Sequence, residues 1–64
     1  MSKIVTQEDH VKAAIFALER ATDALRMSLR YPSHSHDGNA LRLIANGDMK
    51  WAEVLVKNAG TAPA

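Results

Sequence analysis

The sequence predicts an all-α protein: an antiparallel two-helix hairpin, with helices over about 7–30 and 38–58, that is expected to dimerise into a four-helix bundle. Three observations carry this expectation. Apolar residues recur in alternating steps of four and three along Val11, Ile15, Leu18, Thr22, Leu25 and Leu29, and again along Leu41, Ile44, Asp48, Trp51 and Leu55. That spacing keeps one face of a helix against a partner helix. A Pro-, Ser- and His-rich segment separates the two stretches, and each stretch carries more apolar surface than one neighbour covers.

Residues 1–5 read as a flexible lead to a single helical domain over 6–60. Thr6 is a suitable N-cap, with Asp9 three residues on to complete a capping box and Glu8 adding negative charge to the first turn. From Gln7 to about Arg30 there is neither Gly nor Pro, and Ala, Leu, Arg and Met dominate. Pro32 disfavours helical geometry at Tyr31 and ends the run. Opposite the first stripe lies a second apolar set, Ala13, Phe16, Ala17, Ala24, Met27 and Tyr31, interrupted mainly by Arg20.

Residues 31–37 have loop chemistry, and Ser35 or Asp37 is placed to cap the second helix. Asn46-Gly47-Asp48 is a turn signal inside that helix, but the four-three spacing passes through Gly47 in phase, so one continuous helix is expected. Its apolar arc is widened by Leu43, Ala45, Met49 and Val56, while Arg42, Asn46, Lys50, Glu53 and Lys57 form a polar face. Gly60 is the expected stop, and 61–64 reads as a disordered tail.

Folding the two stripes back on each other pairs Leu29 with Leu41, Leu25 with Ile44, Thr22 with Asp48, Leu18 with Trp51 and Ile15 with Leu55. The paired numbers keep a near-constant total, as one antiparallel register requires. Thr22 and Asp48 then form a structural polar layer in which the hydroxyl donates to the carboxylate and fixes register. Trp51 is expected in the core.

Composition narrows the function. Sixty-four residues form one small domain, which is marginal without help. Cysteine is absent, which removes disulfides, thiolate metal sites and a cysteine nucleophile. No apolar run reaches membrane-spanning length and no signal peptide is recognisable, so a cytoplasmic protein is expected. The net charge of +1 provides no bulk field for nucleic acid. All four arginines, Arg20, Arg26, Arg30 and Arg42, lie in the middle of the chain and are the candidate nucleic-acid or anion contacts.

His34, His36 and Asp37 are weak metal candidates, since imidazole and carboxylate types are right but the setting is a loop without visible support. No glycine-rich phosphate loop occurs, and the neighbouring Ser, His and Asp residues of the turn lack the scaffold a catalytic triad needs. Neither an enzyme nor a cofactor is expected. The expected function is a non-enzymatic dimeric adaptor or inhibitor that binds a regulatory protein, with a phage or mobile element as the expected source. Partner-binding candidates are Phe16, Arg20, Met27, Arg30 and Tyr31, because aromatics, Met and Arg are what interface hot spots use. The alternatives are an RNA- or DNA-binding hairpin dimer, and sequestration of a small anionic, nucleotide-like ligand between protomers.

Overall fold

The structure, a computed structural model, describes residues 5–63. Most of the expected lead, residues 1–4, and Ala64 of the tail lie outside the described residues. Two helices, α1 (Gln7–Ser28) and α2 (His36–Ala59), pack against each other as a hairpin of 46 × 17 × 17 Å, a single layer of two helices.

The capping box of α1 forms as the sequence requires. Thr6 Oγ1 accepts from the Asp9 N–H at 3.3 Å, and Asp9 Oδ2 accepts from the Thr6 N–H at 3.1 Å. Glu8 pairs with Lys12 one turn later at 2.9 Å, and this contact holds the Lys12 ammonium above its ordinary pKa. The N–H of Gln7, which has no intrahelical partner, donates to the Pro63 carbonyl at 2.7 Å. Pro63 thus lies against the start of α1.

The inner ends of both helices lie two residues from their expected positions. Pro32 removes Tyr31 from helical geometry, and the chain tightens before it. Leu29, Arg30 and Tyr31 donate to the carbonyls of Arg26, Met27 and Ser28, so α1 closes at Ser28 in three-residue turns. Ser35 is the N-cap of α2, its hydroxyl accepting from the Gly38 N–H at 3.0 Å, and the helix begins at His36. Gly38 is buried beneath this cap, where a Cβ would come within 2.9 Å of Ser35 Oγ and 3.3 Å of the Pro32 carbonyl. Helix α2 then runs unbroken through Asn46-Gly47-Asp48 to a cap at Gly60.

The seam between the helices differs from the expected one. On α1 the buried residues are Ala14, Ala17, Ala21, Ala24 and Ser28; on α2 they are Gly38, Ala45, Ala52, Leu55 and Ala59. Ala14 and Ala17 pack with Ala52 and Leu55, while Ala21 and Ala24 pack with Ala45 and the half-buried Leu41. This is the expected antiparallel register on a different face. The seam of α1 lies one residue before the stripe of Val11, Ile15, Leu18, Leu25 and Leu29, all of which are exposed. On α2, Ile44 and Trp51 leave the seam and Ala45 and Ala52 replace them; Trp51 is 55% exposed. The physical reason is close approach. Methyl side chains let helix axes come to the lower end of the roughly 8–10 Å range of helix pairs.

Two substitutions test this packing in opposite directions by urea unfolding. Ala45 is fully buried, and Ala45→Leu is expected to destabilise by about 1–3 kcal/mol through overpacking. A Cβ at Gly47 meets nothing within 4 Å, so Gly47→Ala is expected to stabilise by about 1 kcal/mol.

Candidate functional site

An alanine seam leaves the bulky apolar side chains outside. Among the described residues Leu55 is the one large apolar side chain that is buried. Phe16 is 63% exposed, Leu43 70% and Leu29 85%.

Helical geometry sorts most of the exposed side chains into two faces, with Leu43 on the outer side of α2. In an antiparallel pair, residues one position before a seam residue on either helix fall on the same side of the hairpin, and those one position after fall on the other. The first face collects Phe16, Arg20, Asp23 and Met27 from α1 with Ile44, Gly47, Trp51 and Val54 from α2. It carries two aromatics and is called the aromatic face below. The second collects Ile15, Leu18, Thr22, Leu25 and Leu29 with Arg42, Asn46, Met49, Glu53 and Val56. It is the leucine face.

Near the middle of the aromatic face, Arg20 Nε lies 3.8 Å from Asp48 Oδ2. That distance is an ion pair but too long for a hydrogen bond. Asp48 sits at a seam position with its side chain 15% exposed, and its Oδ2 is buried and accepts no hydrogen bond. The Arg20 side chain is 60% exposed. A guanidinium carries five donors, so this exposed one keeps donor capacity beyond its pairing with Asp48.

The expected Thr22–Asp48 layer does not form. The rotation that brings alanines into the seam carries Thr22 to the leucine face, where it is exposed and its hydroxyl donates to the Leu18 carbonyl of its own helix at 2.9 Å. Asp48 keeps its seam position and meets Arg20 instead.

Of the five partner-binding candidates, Phe16, Arg20 and Met27 share the aromatic face. Arg30 and Tyr31 lie past the end of α1, exposed in the turn. Ile44 and Trp51 are face residues that sequence reasoning placed in the core. The arginines do not gather as one cluster. Arg42 Nη2 donates to the Ser33 carbonyl at 2.6 Å and also to Asn39 Oδ1, which ties it to the loop. Arg20 is drawn to Asp48, while Arg26 and Arg30 are exposed near the end of α1. His34, His36 and Asp37 are exposed, and among the described residues no three His, Asp or Glu side chains converge as metal ligands. The surface depressions are shallow and lie on single helices: one over Ile15, Leu18, Glu19, Thr22, Asp23 and Arg26, another over Asn39, Arg42, Leu43 and Asn46.

The alanine stripe itself had a readable signal. Ala14, Ala17, Ala21 and Ala24 repeat the three-four step, and Ala45, Ala52 and Ala59 recur every seven residues.

Because Thr22 bonds within its own turn, Thr22→Val is expected to change stability by less than about 0.5 kcal/mol in urea unfolding. A loss of about 1 kcal/mol or more would restore the hydroxyl–carboxylate contact with Asp48. In comparison with known proteins, no family model matches the chain, and neither a curated protein nor a solved structure is similar to it.

Proposed function

We propose that this chain is a small non-enzymatic protein-interaction module, a homodimeric adaptor or inhibitor that docks on a regulatory protein. One observation carries the reading: the hairpin closes on alanines and leaves bulky apolar side chains on both of its faces. Contiguous exposed apolar surface of this kind marks interaction sites in small domains. Two faces give room for two partners, a second copy and a target. Phe16, Arg20 and Met27, with Arg30 and Tyr31 at the turn end, are the proposed contact set for partner binding.

Nucleic-acid binding is less well supported, because Arg42 is tied to the loop, the arginines do not gather in one cluster and the net charge is only +1. No helix of the described residues is long and apolar enough to cross a membrane.

The test uses the purified full chain as bait in lysate of its source, beside Phe16→Glu and Leu18→Glu variants, one for each face. A specific protein should be retained by the parent chain, with at least one variant losing it tenfold or more. Affinity for the purified target should change little with salt. Retention of RNA or DNA with affinity falling steeply as salt rises would contradict the reading and favour the arginine-based alternative. A thermal shift with nucleotides in place of a protein target would favour sequestration of an anionic ligand.

A further inference from the structure

We infer that the leucine face closes on a second copy of this chain, the α1 helices of the two copies packing antiparallel about a two-fold axis that crosses them at Thr22. This rests on the reading of the chain as a dimeric interaction module and assigns the surface that makes the dimer.

The four-three stripe of Ile15, Leu18, Thr22, Leu25 and Leu29 has the spacing of a helix-packing seam, yet the hairpin closes without it. All five residues are exposed. The total area is that of an unfinished assembly. The hairpin exposes 5066 Å², against roughly 4,000 Å² expected by size scaling for a compact monomer of 7.0 kDa. A face 46 Å long and 17 Å wide is large enough to bury the roughly 800 Å² per partner of a stable complex.

The middle of each face decides which one closes on a copy. Either face can be set on itself with opposite charges opposed, Arg20 at the level of Asp23 on the aromatic face and Arg42 at the level of Glu53 on the leucine face. Charge pattern therefore does not separate them, and desolvation does. The middle of the aromatic face holds Arg20, whose exposed guanidinium would leave water with its Nε 3.8 Å from the Asp48 carboxylate. The middle of the leucine face is Leu18, Thr22 and Leu25, while Arg42 and Glu53 lie toward its two ends. Thr22 Oγ1 already donates to the Leu18 carbonyl at 2.9 Å, so covering it orphans no donor.

Apolar matching selects the axis. A two-fold axis across the helices brings α1 against α1 of the second copy and α2 against α2, both antiparallel. Leu18 then stands opposite Leu25, Ile15 stands opposite Leu29, and Thr22 meets its own copy on the axis. On α2 the same axis falls between Gly47 and Asp48, and it sets Asn46 opposite Met49 and Arg42 opposite Glu53. The shallow depression along α1 includes Ile15, Leu18, Glu19 and Thr22, the four-residue hole that receives a knob in paired helices. Leu25 of the second copy lies over this hole, and Arg26 of the second copy lies beside Glu19 at its outer rim. An axis along the helices would instead set Ile15 against Glu53 and Leu25 between Asn46 and Arg42, apolar against polar. The dimer leaves the aromatic face outward, with Phe16, Arg20 and Met27 available to a target protein.

The experiment measures the mass of the full chain in solution by sedimentation equilibrium, with circular dichroism to confirm helix in every variant. The parent chain is expected at twice 7.0 kDa. Leu18→Glu and Leu25→Glu should each weaken association on the order of a hundredfold or more. Phe16→Glu should leave it within about threefold, the range of a surface substitution. Thr22→Cys, in a chain without cysteine, keeps the leucines in place and decides the matter where a glutamate variant loses its helix. Under mild oxidation it should form a covalent dimer much faster than Phe16→Cys, because Thr22 meets its own copy on the axis. A monomeric parent chain overturns the inference. So does a helical variant that stays dimeric with Leu18→Glu, or one that dissociates with Phe16→Glu. Covalent linking no faster for Thr22→Cys than for Phe16→Cys overturns it as well. Any of these results combined with continued capture of a target protein would end this inference while leaving the target-binding reading standing.

Discussion

The close approach of two helices along a stripe of alanines is the constraint from which the other properties of this molecule follow. With Ala14, Ala17, Ala21 and Ala24 facing Ala45 and Ala52, side chains one carbon deep line most of the seam, and Leu41, Asp48 and Leu55 are its longer members. A longer side chain at a central position would force the backbones apart. The same constraint decides the surface, since every bulky apolar residue excluded from the seam must face outward. Trp51, Ile44 and Phe16 are exposed because Ala52, Ala45 and Ala17 occupy the positions next to them.

This packing has an energetic consequence. Burial contributes about 0.8 kcal/mol per methylene, so a seam of methyl groups gains far less than a seam of leucines. The hairpin compensates locally. Thr6 and Asp9 satisfy the start of α1, Ser35 and Gly38 the start of α2, and Arg42 fastens the connecting loop to the first turns of α2. Such contacts fix the shape of the hairpin without covering its faces. In the proposed interaction module, association supplies the missing burial, because the surface proposed to bind a partner is the apolar surface the fold leaves uncovered.

Local signals were the most legible part of the sequence. Thr6 with Asp9, Pro32 and Ser35 each name a helix end by their own chemistry, and the in-phase spacing through Gly47 correctly predicts one helix over a turn signal. Antiparallel register was legible too, because it depends on chain level and is unchanged when the facing side rotates. The face was not. Ala14, Ala17, Ala21, Ala24 and Ser28 follow the same three-four steps as Ile15, Leu18, Thr22, Leu25 and Leu29, displaced by one residue. Periodicity alone cannot rank two stripes with the same period. Burial value favours the bulky stripe, and backbone proximity favours the small one. Choosing the bulky stripe put Trp51 in the core and paired Thr22 with Asp48. The candidate site inherited that error in part: Phe16, Arg20 and Met27 were recognised as a surface, while Ile44 and Trp51, which complete it, were counted as core.

The absence of cysteine makes the central claim directly measurable, because any engineered pair is chemically isolated. The measurement is intrachain disulfide formation under mild oxidation, read as the mass of the single chain, for Ala17→Cys with Ala52→Cys and for Leu18→Cys with Trp51→Cys. A disulfide needs Cα atoms within about 7 Å and Cβ atoms directed toward each other. The alanine seam predicts rapid, nearly complete closure of the first pair and little of the second. Faster closure of the Leu18–Trp51 pair would place the bulky stripe between the helices and contradict the account.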